Sequence, residues 1–479
     1  MSTVNRPPIA LGGAAVLAGC APPEPEYYDV WGGTGDDGAD ACEGGDFASD
    51  VVAAPGDEGT VPTVSFTTAR PLAARLSFPG TDGRTLTTEW DAQGTTHRLF
   101  MLGAAPGEDV AFTLELDTGD APCTAEGQVR VSDLPAAVPR VTVATLDSDR
   151  ADRAPLAAPI RTSPGGGTAW VTVIDPSGRV VFAIQPVHSM GYVSPAWRAG
   201  PARDGSGLRY LVQATSETDL AEVVRVALDG TVLDRVSVPG GHTDFVELGD
   251  GRVAVLSWDL REVGDDTVLG DRVLLVDEDG QSTELWNAFD HLSYDPDGGW
   301  SGGFYVPDPQ ALDWTHLNGI SWDEASNHLV MTMAAYDGIV RVDVETGEQV
   351  WLAANGIGDF ALADASGDAL ALPHSAQIVD DDTVLVFNRG DYQSRPDVCS
   401  WASTLELDHQ SGTMATGEAW TSEDCLLVAF LGQADLRPSG HIDIGWSSAG
   451  RHDEISPDGE VVRQLELDLG AAFGFTTRM

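Results

Sequence analysis

Three of the chain's ten histidines stand at similar places in a repeated pattern. His242 opens HTDFVELGDGRVAVLS, His316 opens HLNGISWDEASNHLVMTM, and His374 opens HSAQIVDDDTVLVFN. Each precedes a short strand-like run, a polar turn and a strongly apolar run. Imidazole titrates near neutral pH, so such a residue can move a proton or, when neutral, act as a nucleophile. One such histidine alone reads as a hydrogen-bonded residue that closes a packed sheet. Three at a repeating position point to a shared location. No CxxC or HxxxH spacing supports a zinc centre, and no D-x-[DN]-x-[DN]-G loop supports an EF-hand-like calcium site. No metal and no organic cofactor are therefore expected.

The elements that would position these residues are β-strands. Six turns of related type recur: DPSG (Asp175–Gly178), LDG (Leu228–Gly230), DEDG (Asp277–Gly280), DVETG (Asp343–Gly347), DHQSG (Asp408–Gly412) and SPDG (Ser456–Gly459). Their glycines follow one another at 47 to 67 residues. Turns of this kind join the outer strands of a four-stranded propeller blade, because glycine supplies the positive φ that a tight hairpin needs. Regular recurrence near one blade's length predicts a closed ring of six blades over residues 146–479. The innermost strands of such a ring line its channel, which is where the histidines would converge. Before it, residues 60–145 carry short alternating runs such as TVSFT, AARLSF and VAFTLEL, split by Gly, Pro and Asp. They predict a small immunoglobulin- or fibronectin-like β-sandwich. The fold class expected is all-β.

Residues 1–20 read as a lipoprotein signal peptide. Ile9–Ala18 is an apolar run too short to span a bilayer, and it ends in Leu17-Ala18-Gly19-Cys20, similar to a bacterial lipobox. Lipid on Cys20 would anchor the chain in the cell envelope. With Ala21 next, the outer membrane is the expected site, facing periplasm or cell surface. Residues 21–59 read as an acidic Gly/Pro-rich tether. The four remaining cysteines suggest two disulfides in an exported protein, and proximity favours Cys42–Cys123 and Cys399–Cys425.

Composition narrows the chemistry further. The chain holds 26 Lys+Arg and 75 Asp+Glu among 479 residues, a net charge of −49 at pH 7, and the basic residues are all arginine. Walker-A, Schiff-base and kinase-type lysine chemistry is excluded. Nucleic acid is not an expected partner, because phosphate neutralisation needs a basic footprint. Any anion site must be built from arginine, histidine and backbone amides.

DWTHLNGISWD (Asp313–Asp323), DGIVRVDVETGEQVW (Asp337–Trp351), LPHSAQIVDDDTVLVFNRGD (Leu372–Asp391) and GQADLRPSGHIDIGWSSAGRHDEISPDGEVV (Gly432–Val462) together resemble the bacterial arylsulfotransferases. That family moves a sulfuryl group between phenols without a nucleotide donor. The resemblance implies an aryl sulfate and a phenol as small-molecule partners, and transfer through a sulfohistidine. It makes His316, His374 and Arg389 the catalytic candidates, with the Arg389 fork on the sulfuryl oxygens. It makes His242, Asn318 and Asn388 candidate donors to the substrate, and Trp314 and Tyr392 a candidate aromatic wall. The chain departs from the family at one point. The nucleophilic histidine expected near the Gly-x-x-x-x-L-x-x-x-G element falls on Leu431 or Gly432, and no histidine lies between His409 and His441. Either one of His242, His316 and His374 serves instead, or the protein is an inactive propeller that binds an anionic or aromatic ligand in the same funnel. A quinone-dependent propeller is disfavoured by six turn motifs where eight would be expected.

Overall fold

The computed structural model describes residues 28–29, 48–119, 123–162, 168–216, 218–294, 300–301, 308, 310–354, 357–362, 369–390, 398–468 and 470–479. Cys20, Cys42 and Tyr392 lie outside them. The described chain is all-β. Its α-helix, Ala288–His291, has four residues. No helix among the described residues is long and apolar enough to cross a membrane.

The N-terminal part forms two antiparallel sheets. One comprises Tyr28–Asp29, Ser49–Ala54, Thr63–Leu72 and Gly94–Phe100; the other comprises Thr85–Thr87, Ala74–Pro79, Asp109–Leu116 and Cys123–Arg130. Alternation decides which residues face inward. In Asp109–Leu116 the buried positions are Val110, Phe112, Leu114 and Leu116, which share one core with Phe66, Leu76 and Phe78. The strand Ser49–Ala54 starts inside the stretch expected to be tether. The strand Val141–Leu146, expected to end the N-terminal unit, instead pairs with Val461–Leu467 at the far end of the chain.

Six further sheets follow. In each, a predicted turn joins the third and fourth strands counted from the innermost, and each turn glycine has positive φ: Gly178 86°, Gly230 84°, Gly280 78°, Gly347 73°, Gly412 66° and Gly459 85°. The innermost strands of the second to sixth sheets are Ala199–Pro201, Gly241–Glu247, Leu317–Asp323, Pro373–Asp380 and Gln433–Leu436. The first sheet takes its innermost strands, Ala472–Phe473 and Thr477–Arg478, from the C-terminal end of the sequence.

Hydrogen bonds tie each sheet to the next. Phe475 N donates to Trp197 O (2.6 Å) and Thr243 N to Gln213 Oε1 (3.4 Å). Ile320 N donates to Asp244 Oδ2 (3.0 Å), Asn318 Nδ2 to Pro373 O (3.1 Å), and Ala434 N to Ser375 Oγ (3.0 Å). Thr476 N then donates to Gln433 Oε1 (2.6 Å), which returns the sixth sheet to the first. Apolar clusters fill the gaps between sheets. Leu256, Val273, Trp286, Trp314, Met331 and Val340, for example, join the third sheet to the fourth.

One backbone feature repeats at the inner strands. Thr243, His316, Leu372 and Leu431 have φ of 54°, 51°, 50° and 58°. Each lies at or just before the innermost strand of its sheet, in four consecutive sheets. A non-glycine residue in this region is uncommon and costs about 1 kcal/mol or more, so the surrounding bonds must impose it.

Candidate functional site

His316 occupies one of these left-handed positions. Its Nδ1 lies 2.6 Å from Asp313 Oδ2. The strand Leu312–Asp313 runs parallel to Asp266–Val276, so the third sheet carries the carboxylate that holds the fourth sheet's histidine. Asp271, also on Asp266–Val276, accepts from Thr315 Oγ1 (2.6 Å) and Leu317 N (2.8 Å). Burial pushes the His316 pKa down, but Asp313, through charge and hydrogen bond, and Asp271 outweigh it. The net shift is upward, against opposition from Arg389. A cation is therefore favoured on this ring.

His374 is the second residue of Pro373–Asp380 and sits in the bulge between Pro373 and Ser375. It is buried, its ring lies 5.4 Å from that of Phe475, and its Nδ1 has no hydrogen-bond partner. Burial, then the Arg389 charge, then His316 hold its pKa well below the ordinary value. His374 is thus a neutral imidazole at neutral pH, beside a guanidinium and a second histidine biased toward the cation.

Arg389 follows the strand Thr383–Asn388. Its N–H donates to Leu372 O (3.3 Å) and its carbonyl accepts from Ser400 Oγ (2.5 Å). The same hydroxyl accepts from Val428 N (2.8 Å). Ser400 adjoins Cys399, which is disulfide-bonded to Cys425 with Cα atoms 4.9 Å apart. That loop therefore fixes the backbone of the arginine. Ser400→Ala orphans the buried amide of Val428, and a loss of about 1–3 kcal/mol follows. Thermal denaturation checks this; an unshifted midpoint contradicts the assignment.

The remaining candidates hold other positions. His242 is buried, stacked on Trp258 at 4.7 Å, with Nε2 3.0 Å from Asp271 Oδ1 and Nδ1 3.0 Å from Thr243 Oγ1. It shares Asp271 with Thr315 and Leu317, which flank His316. The Asn318 amide donates to Pro373 O, and its carbonyl accepts from Thr332 Oγ1 (2.6 Å). Asn388 Oδ1 accepts from Ala371 N (2.9 Å). Both asparagines are spent on the framework. Trp314 is fully buried among Phe289, Tyr294 and Tyr336. His409 lies in its turn with Nε2 3.2 Å from Asp381 O, and His441 Nδ1 is 2.7 Å from Glu454 Oε1. Cys123 is disulfide-bonded; Cys42, its expected partner, lies outside the described residues. No group of three or more His, Cys, Asp or Glu suited to a metal ion occurs among the described residues.

The histidines are not in strict register. The left-handed position falls on Thr243, His316, Leu372 and Leu431, so His242 precedes it, His316 occupies it and His374 follows it by two. Leu431, packed with Trp197 and Phe475, is the sixth sheet's counterpart of His316. Asp313, Asp271, Ser400 and Phe475 carry no role in the sequence reading. Asp313 alone had a local signal, three residues before His316 in DWTH.

Residues 166–415 match the sequence profile of Arylsulfotransferase (ASST). The chain belongs to the arylsulfotransferase family. No curated protein matches it at a significant level. Solved structures give distant likenesses to this arylsulfotransferase-family chain. A Bacteroides caccae protein of unknown function has 14% identity and a TM-score of 0.42, covering 68% of this chain and 99% of its own. The Pseudomonas aeruginosa periplasmic gluconolactonase has 14% identity and a TM-score of 0.38, covering 67% and 99%. A streptogramin B lyase has 12% identity and a TM-score of 0.36, covering 69% and 98%.

Proposed function

We propose that the six sheets are the blades of one propeller and that its channel transfers a sulfuryl group from an aryl sulfate to a phenol. The pairing of a neutral His374 with a cation-biased His316, both coupled to Arg389, carries this reading. The His374 nitrogen attacks sulfur, the N–S bond forms and the S–O bond to the aryl group breaks. Arg389 holds the sulfuryl oxygens as charge moves across them. His316, with Nδ1 on Asp313, gives its Nε2 proton to the departing phenolate. The acceptor phenol then returns a proton to His316, attacks the sulfohistidine and restores His374. Acid quench of the full chain with an aryl sulfate, followed by peptide mass spectrometry, tests this. One sulfuryl group is expected on His374; its absence from every histidine removes the reading.

The pH profile follows from the two shifts. His374 must be neutral, and its lowered pKa puts loss of activity well below pH 6.5. His316 must be protonated, and its raised pKa puts the alkaline loss above pH 6.5. Asp313→Asn removes the carboxylate that raises His316 and moves the alkaline limb down. An unmoved limb in kcat/KM denies His316 the proton-donor role.

Leu431 favours a second reading, a non-catalytic binding propeller. In that case the aryl sulfate binds, Arg389→Gln weakens it, and neither phenol release nor a sulfo-enzyme is found.

A further inference from the structure

Five arginines are buried among the described residues: Arg161, Arg209, Arg341, Arg451 and Arg463. Four face a carboxylate. Arg209 lies 3.2 Å from Glu247, Arg341 3.5 Å from Asp323, Arg451 2.8 Å from Asp453 and Arg463 2.8 Å from Glu454. Arg161 faces none. It is 7% exposed, and its Nε and Nη1 have no hydrogen-bond partner. Its guanidinium lies 4.7 Å over the ring of Trp197. An unpaired buried cation is costly, and in a chain of net charge −49 carboxylates are abundant, so the lack of one here is informative.

The position explains what it could serve. Arg161 ends its strand opposite Ala472, where the innermost strand of the first sheet begins. Asn388, the neighbour of Arg389, ends its strand opposite Pro373, where the innermost strand of the fifth sheet begins. Both arginines therefore stand at the same rim of the ring. Aromatic contacts lead from Arg161 to His374. Trp197 lies 6.0 Å from Phe430 and clusters with Leu431 and Phe475, and Phe475 lies 5.4 Å from His374. Trp197 Nε1 donates to Gln213 Oε1 (2.9 Å), which fixes the ring under the guanidinium.

We propose that Arg161 and Trp197 form a second anion subsite on this rim, which takes the carboxylate of an aromatic sulfuryl acceptor. The guanidinium fork pairs with the carboxylate, while the Trp197 ring holds the guanidinium from its other side. The acceptor's role, though not the subsite, rests on the transferase reading. The preferred substrate is thus a phenol that carries a carboxylate, with its hydroxyl directed toward His374.

Calorimetric titration of the full chain with benzoate, and acceptor kinetics with para-hydroxybenzoate against phenol, test this. Arg161→Gln is expected to weaken benzoate binding and to raise KM for para-hydroxybenzoate by about 10- to 100-fold, leaving KM for phenol unchanged. Arg161→Lys keeps the charge without the fork, and loses less. Circular dichroism and the melting midpoint verify folding, and the lysine variant carries the comparison if the glutamine variant does not fold. Equal benzoate affinity in wild type and variants, or no benzoate binding by the wild type, overturns the subsite. Arg161-dependent benzoate binding without sulfuryl transfer upholds the subsite and removes only the transferase reading.

Discussion

His374→Ala is expected to lower sulfuryl transfer by several orders of magnitude, to the detection limit, and to abolish the sulfo-enzyme. Removing a covalent nucleophile elsewhere costs on the order of 10^6-fold in kcat. The side chain is buried against Phe475, so the variant must first be shown to melt near the wild-type midpoint. A complementary variant sharpens the result. Leu431→His places an imidazole where the family resemblance expects the nucleophile, on backbone of φ 58° that His316 already tolerates at 51° in its own sheet. Transfer regained in the double variant would assign the chemistry to the rim as a whole. Full activity in His374→Ala would exclude His374 as the nucleophile.

Gly432→Ala is expected to be the most damaging single change to the framework near the site. A Cβ at Gly432 would stand 2.1 Å from a ring carbon of Phe387, and the backbone φ is 119°. Phe387 is fully buried beside Asn388 and Arg389. The ring must move, or the strand must. Overpacking and an unsuitable φ together cost about 3–5 kcal/mol. Chemical denaturation reads this directly. A loss below about 1 kcal/mol would mean that the strand relaxes around the added methyl. The same contact leaves no room for any side chain at Gly432.

Much of this architecture is legible in the chain itself. The six turn glycines all sit between the third and fourth strands of a sheet, because the positive φ of a turn glycine is a local requirement that needs no tertiary help. The Cys399–Cys425 pairing followed from proximity. The site was less legible. His316, His374 and Arg389 interact across two sheets, and that coupling depends on a bulge at His374 that no sequence pattern announces. Asn318 and Asn388 have residue types suited to a substrate, yet the ring claims their hydrogen bonds. Periodicity reports which face of a strand is inward, not which inward polar group is already engaged. In sequence, the strand Val141–Leu146 adjoins the unit that precedes it, and its partner, Val461–Leu467, lies more than three hundred residues away.

The recurring left-handed residue has a consequence for how such a ring changes occupation. Thr243, His316, Leu372 and Leu431 share one backbone state but not one side chain. Four sheets therefore repeat one left-handed backbone position at the start of an innermost strand, filled by a threonine, a histidine and two leucines. Because the hydrogen-bonded strand imposes the backbone state, the side chain at that position can differ from sheet to sheet without a different strand arrangement. On the proposed transferase reading, that freedom would let the nucleophile stand in one sheet or another within a single fold.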